Sequence, residues 1–154
     1  MTPRSPKDRL RIALVGCGRI SRNHFDAIAR IDGLELCAVC DAIPDRARAA
    51  GDEQGVESFT NYADMVRSAE ADVITICTPS GLHASQGIAA GKAGKHVITE
   101  KPMAITLDQA DGLVQACDAA GVRLFVVKQN RLNPSIQLLK RAVDNVKPQL
   151  EVKS

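Results

Sequence analysis

The chain has 154 residues, 45% of them hydrophobic and only 3% aromatic, with 20 basic and 18 acidic residues and a net charge of +2. That length fits one domain with a full core, and the shortage of aromatics predicts a core of Ala, Val, Ile and Leu, as in buried parallel sheets. The charges are interspersed without a basic block, which argues against a nucleic-acid partner, and no apolar run reaches the roughly 18 residues that span a membrane.

Residues 1–9 lack the apolar region of a signal peptide, so they read as a flexible tail on a cytoplasmic protein. Strand-like and helix-like segments then alternate. Strands are predicted at 11–15, 35–40, 58–60, 73–78, 96–99 and 123–128, and helices at 20–31, 45–53, 62–68, 82–93, 107–120 and 134–144. Asp32-Gly33 and Gly121 suit helix ends, and Pro44 suits a helix start. Alternation of this kind implies an α/β domain over residues 10–145, a doubly wound parallel sheet with helices on both faces, followed by a tail over 146–154.

The first predicted strand, Leu10-Arg11-Ile12-Ala13-Leu14-Val15, runs into Gly16-Cys17-Gly18-Arg19-Ile20-Ser21. A G-x-G-x-x-S pattern alone is weak, since it also fits a glycine turn in other α/β proteins. Here a helix follows it, and Asp41 closes the second strand twenty positions after Ser21, the spacing of a dinucleotide-binding βαβ unit. Gly16 allows the turn out of the strand, and Gly18 lets backbone approach a pyrophosphate with no Cβ in the way. The helix starting near Ile20 aims free N–H groups and its positive dipole end at those phosphates. Asp41 is placed to accept from the adenosine ribose hydroxyls and to repel a 2′-phosphate. This favours NAD over NADP, a preference that Arg46 and Arg48 would soften. Ser21 stands where a glycine or alanine is usual and is small enough for close helix–strand packing.

Five cysteines without an export signal point to reduced thiols. Cys37 and Cys40 form a C-x-x-C, but strand residues three apart point to opposite faces, so apolar packing is expected and no metal site. In a doubly wound sheet, ligands collect at the carboxyl ends of the strands. Those ends carry Gly16–Ser21, Asp41, Thr78-Pro79-Ser80-Gly81, Glu100-Lys101-Pro102 and Lys128-Gln129-Asn130-Arg131, which are therefore expected in one cleft.

Together, Gly16-x-Gly18-x-x-Ser21, Asp41, Thr78-Pro79-Ser80-Gly81-Leu82-His83 and Glu100-Lys101-Pro102 resemble the glucose–fructose oxidoreductase/inositol dehydrogenase family of nicotinamide-dependent sugar oxidoreductases, over roughly residues 10–144. The run from Leu124 to Asn133, followed by Gln137-Leu138-Leu139-Lys140-Arg141-Ala142, is similar to a narrower group, the UDP-N-acetylglucosaminuronate 3-dehydrogenases of lipopolysaccharide O-antigen synthesis. The resemblance implies a Rossmann domain binding NAD through Gly16, Gly18, Arg19, Ile20, Asp41, Thr78, Pro79, Leu82, His83, Glu100 and Lys101. It makes Lys101 the catalytic residue, reaching both the nicotinamide ribose and the reacting hydroxyl, where an ammonium stabilises developing alkoxide charge. Pro102 would fix the turn, through a cis bond as in relatives. Glu100 is left with two roles, orienting Lys101 or binding the ribose. His83 either serves the site or only bonds the backbone, while His24 and His96 carry no motif and read as structural. Lys128, Gln129, Asn130 and Arg131 would meet a nucleotide sugar's carboxylate or diphosphate, or else pack the domain seam.

Family members continue into a second α/β domain that supplies further catalytic groups and most of the substrate pocket. The sequence is expected to lack it and to represent the cofactor half, with slow or no turnover and with an uncovered seam that favours a homo-oligomer. The complete enzyme would oxidise C3 of the UDP-linked uronic acid, passing hydride to NAD. The alternatives are a truncated, non-catalytic NAD-binding module or another sugar or inositol dehydrogenase of the same family. An S-adenosylmethionine methyltransferase shares the glycine loop and the acid but has no place for Glu100-Lys101-Pro102.

Overall fold

Six parallel strands in the order β3-β2-β1-β4-β5-β6 form the sheet of the computed structural model, which describes residues 9–151. The strands are β1 Leu10–Val15, β2 Leu34–Cys40, β3 Glu57–Phe59, β4 Val73–Ile76, β5 His96–Thr99 and β6 Leu124–Val126. The helices are α1 Ser21–Arg30, α2 Pro44–Gln54, α3 Tyr62–Ser68, α4 His83–Lys92, α5 Leu107–Ala119 and α6 Pro134–Glu151. This is the expected α/β architecture. The order reverses between β1 and β4, and a crevice opens there at the strand ends.

Alternation along β1 sorts the core into two layers. Ala13 and Val15 pack with Met65, Ala90, Val97 and Leu113, contributed in part by α3, α4 and α5. Ile12 and Leu14 face the other way, toward Phe25 and Ile28 of α1 and Ala50 of α2. Helices therefore cover both faces, and all four residues of β4 are buried, as its β-branched composition requires. Local chemistry sets the helix ends. Pro44 opens α2 and Gly55 closes it at φ +67°, where a side chain would be strained. The Asn61 side chain accepts from the Ala63 and Asp64 amides at the start of α3, and the Thr106 hydroxyl accepts from the Gln109 amide at the start of α5.

Three expectations need correction. The register of β1 on β2 shifts between Ile12–Leu36 and Ala13–Ala38, so Cys37 is the extra residue of a bulge. The bulge breaks the two-residue alternation, and Cys37 and Cys40 pack against the same core layer instead of opposite ones. They remain thiols: the Cys37 Sγ donates to the Ile12 carbonyl at 3.3 Å, and burial pushes Cys40 up to about 11. Second, α6 does not stop at Asp144 but continues to Glu151, so Asn145 and Pro148 do not end it and most of the tail assigned to 146–154 is helical. Third, β4 and β6 are shorter than predicted, which moves residues 77–78 and 127–128 from strand into the loops at the sheet edge. The flexible tail assigned to residues 1–9 lies, apart from Arg9, outside the described residues. Among the described residues no helix is long and apolar enough to cross a membrane, and no group of three or more His, Cys, Asp or Glu is gathered to hold a metal.

Candidate functional site

The glycine loop sits at the crevice between β1 and β4, and its two glycines serve different ends. Gly16 has φ +93°, and a Cβ there would lie 2.6 Å from the Cys77 carbonyl carbon and 2.7 Å from the Thr78 nitrogen. It is glycine because the backbone turns left-handed against the end of β4. A Cβ on Gly18 would meet nothing within 4 Å, so this face of the loop is bare backbone beside open space, as a pyrophosphate requires. The Ser21 side chain is 1% exposed, and its hydroxyl donates to the Gly18 carbonyl at 2.6 Å, which ties the loop to the first turn of α1. Ile20 packs onto the core and leaves no side chain capping α1, and Arg19 is exposed. The first turn of α1 carries no acid, so its free N–H groups are unopposed toward an anion.

Asp41, at the end of β2, is buried against this loop. Its two carboxylate oxygens accept from the Cys17 and Ile43 amides, each at 2.9 Å. One bond per oxygen fixes the carboxylate and leaves acceptor capacity for hydroxyl donors. Asp41 shares a cavity of about 540 Å³ with Gly16, Gly18, Arg46, Thr78, Pro79 and Leu82. The same cavity is lined by Tyr62 and Gln86, which no motif marked. The Tyr62 hydroxyl donates to the Gln86 carbonyl at 2.7 Å, and the Thr78 hydroxyl donates to the Gln86 side-chain oxygen at 2.6 Å. Burial raises the Tyr62 phenol above its ordinary range and pushes the Cys40 thiol up to about 11 and the Cys77 thiol up to about 12, so neither is a thiolate at neutral pH.

Glu100, Lys101 and Pro102 leave β5 in a turn with a cis Lys101–Pro102 bond. Lys101 is exposed, while Glu100 is buried and hydrogen-bonded through both oxygens. Oε2 accepts from the Lys101 amide at 3.3 Å, and Oε1 stands 2.9 Å from Nε2 of His24 on α1. Through these contacts Glu100 links the backbone of Lys101 to α1. His24, which carries no motif, is thus joined to the Glu100-Lys101-Pro102 turn. His83 is 1% exposed at the start of α4, with Nδ1 2.7 Å from the Pro102 carbonyl and Nε2 2.6 Å from the Thr78 carbonyl. Its bonds run to backbone, and they join the turn after β4 to the turn carrying Lys101. Nδ1 of His96 accepts from the Arg123 amide at 3.0 Å.

Lys101 shares a second concavity, of about 260 Å³, with Lys128, Gln129, Asn130, Arg131 and Ile136. The expected residues lie at the carboxyl ends of the strands. Gly16, Gly18, Asp41, Thr78, Pro79 and Leu82 line one hollow, and Lys101 with residues 128–131 lines another. The first carries one acid, Asp41, and one base, Arg46. The second is cationic, with Lys101, Lys128 and Arg131 in its lining.

Residues 10–128 match the family described as an oxidoreductase family with an NAD-binding Rossmann fold. The chain is 42% identical over 136 residues to D-apiose dehydrogenase of Paraburkholderia graminis, covering 88% of this chain and 36% of that protein. It is 31% identical over 137 residues to myo-inositol 2-dehydrogenase of Thermotoga maritima, covering 88% and 41%. Among solved structures, the WlbA dehydrogenase of Bordetella pertussis, in complex with NADH and UDP-GlcNAcA, superposes with a TM-score of 0.87 at 47% identity, covering 90% of this chain and 42% of that one. The WlbA dehydrogenase of Chromobacterium violaceum, with the same two ligands, superposes with a TM-score of 0.87 at 44% identity, covering 95% and 43%. The chain thus spans well under half the length of each of these relatives. With the open glycine loop, the uncapped helix and the buried acid after β2 in place, this chain belongs to the Gfo/Idh/MocA oxidoreductase family and forms its NAD-binding Rossmann domain.

Proposed function

We propose that the chain is the cofactor-binding part of an NAD-dependent dehydrogenase that oxidises the C3 hydroxyl of UDP-linked N-acetylglucosaminuronic acid to the 3-oxo sugar, in lipopolysaccharide synthesis. The observation that carries this reading is the grouping of Lys101, Lys128 and Arg131 around one concavity at the strand ends. Three cations there suit a substrate with both a carboxylate and a diphosphate, and the Arg131 fork suits either group. Inositols and apiose carry no anion. Two solved relatives at 47% and 44% identity hold UDP-GlcNAcA beside NADH, which supports the same reading.

In this reading the amides of the Gly16–Ser21 loop and of α1 hold the pyrophosphate, Asp41 accepts from the adenosine ribose hydroxyls, and Lys101 faces the sugar hydroxyl. NAD supplies the acceptor for the two electrons and the carbon-bound hydrogen. Lys101 stabilises the developing alkoxide and relays the hydroxyl proton, while Lys128, Gln129, Asn130 and Arg131 hold the anionic groups of the substrate. The 42% identity to D-apiose dehydrogenase favours a second reading, a neutral sugar in the same position.

Titration calorimetry on the NADH-saturated chain separates the two. UDP-N-acetylglucosaminuronic acid is expected to bind, and to bind about tenfold or more weakly to a K128A/R131A variant. Binding of apiose or myo-inositol, with none of the nucleotide sugar, would replace this reading with the second.

A further inference from the structure

Glu100 sits at the end of β5 with its backbone N–H donating to the Ile76 carbonyl of β4 at 3.0 Å. Its carboxylate turns inward, with the side chain only 10% exposed, and a buried carboxylate without partners is strongly unfavourable. Within the protein the partners come from two places: the Lys101 amide next to it, and His24, which lies 76 residues away in sequence. His24 is itself 83% buried by its side chain and stands on the first turn of α1, where Ser21 binds that turn to Gly18. One chain of contacts therefore runs from the glycine loop through α1, His24 and Glu100 to the backbone of Lys101. Lys101 opens onto the cationic concavity, apart from the hollow that contains Asp41.

We infer that His24 is a positioning residue for Lys101, acting through Glu100, and this inference rests on the dehydrogenase reading of Lys101. His24 holds one oxygen of Glu100 so that the other meets the Lys101 amide. The helix that receives the phosphates and the turn that presents the ammonium then move as one body. Without His24, Oε1 loses its partner, the carboxylate turns toward water, and the amide of Lys101 loses its acceptor. The defect should appear only at the nicotinamide end of the dinucleotide, because His24 does not line the cavity of Asp41 and is not among the hydrogen-bond partners of its carboxylate.

Binding of NADH and of ADP-ribose, which lacks the nicotinamide, is measured by calorimetry on the 154-residue chain and on H24L and H24Q. The side-chain amide of H24Q retains a donor for Glu100. H24L is expected to weaken NADH about tenfold while leaving ADP-ribose within about twofold, and H24Q to restore NADH binding. Equal loss of both ligands in H24L, or no loss of either, would overturn the inference. The amide resonance of Lys101 in ¹H–¹⁵N spectra decides the brace without cofactor: it is expected to shift in H24L and to return in H24Q. An unchanged Lys101 amide in H24L sinks the brace. Failure of the unaltered chain to bind NADH, with that amide shift intact, would count against the dehydrogenase reading instead.

Discussion

Gly16→Ala tests whether the loop geometry is dictated by the end of β4, and Gly18→Ala is its control. At Gly16 the backbone has φ +93°, in a region that costs an L-residue about 1–2 kcal/mol. The new Cβ would also meet the Cys77 carbonyl carbon at 2.6 Å and its oxygen at 2.7 Å. Those are backbone atoms just past a fully buried strand, so they cannot rotate away, and overpacking of this kind costs about 1–3 kcal/mol. Together the two effects remove about 2–5 kcal/mol from a total stability of about 5–15 kcal/mol. With a urea m-value of about 2 kcal/mol/M, the midpoint falls by roughly 1–2.5 M. Gly18→Ala places its Cβ where nothing lies within 4 Å and φ is not left-handed, so its stability stays within about 0.5 kcal/mol of the parent. Its NADH affinity instead falls about tenfold or more, because the methyl occupies the approach to the pyrophosphate. Urea unfolding followed by circular dichroism, with calorimetry for NADH, reads both. A Gly16→Ala midpoint within about 0.3 M of the parent, or a Gly18→Ala variant that binds NADH normally, would refute the reasoning.

Two further outcomes are expected. Asn61→Ala removes the acceptor of the Ala63 and Asp64 amides and should lower stability by about 1 kcal/mol, a fall of roughly 2–4 °C in Tm by thermal denaturation. Burial raises Cys40 from 9.0 to about 11 and Cys77 from 9.0 to about 12, so each keeps its proton in the folded chain after the unfolded chain has lost it. Their contribution is fully present below pH 9 and is lost as pH climbs through 11 to 12, at up to about 1.4 kcal/mol per pH unit for each thiol. Urea midpoints in reductant at about pH 8, 9.5 and 10.5 should therefore decline, and less steeply in Cys77→Ala; a flat series would show that these thiols are not buried as described.

The cofactor fingerprint was legible in the sequence because it is local. The strand, the glycine loop, the helix and Asp41 lie within one βαβ unit, and periodicity places them without knowledge of the rest of the fold. The parallel sheet was legible for a similar reason, since alternating elements leave little freedom in topology. Helix ends with a chemical marker, Pro44 and Gly121, fell where local capping puts them. The end of α6 did not: no marker stands at Asp144, where the sequence reading ends it, and the helix runs on to Glu151.

What depended on long-range packing was not legible. Cys37 reads as an ordinary strand residue until the register of β1 against β2 shifts beside it, and register is a property of the pair. Tyr62 and Gln86 belong to different helices and meet only because α3 and α4 close over the end of the sheet. His24 shares no motif with Glu100, and it becomes its partner when α1 docks beside the end of β5. By itself the sequence determined the fold class and the dinucleotide loop, because backbone turns and side-chain periodicity act over a few residues. Only the tertiary structure decided which buried group satisfies which, because a desolvated carboxylate or hydroxyl takes its partner from whatever the packing brings within hydrogen-bond distance.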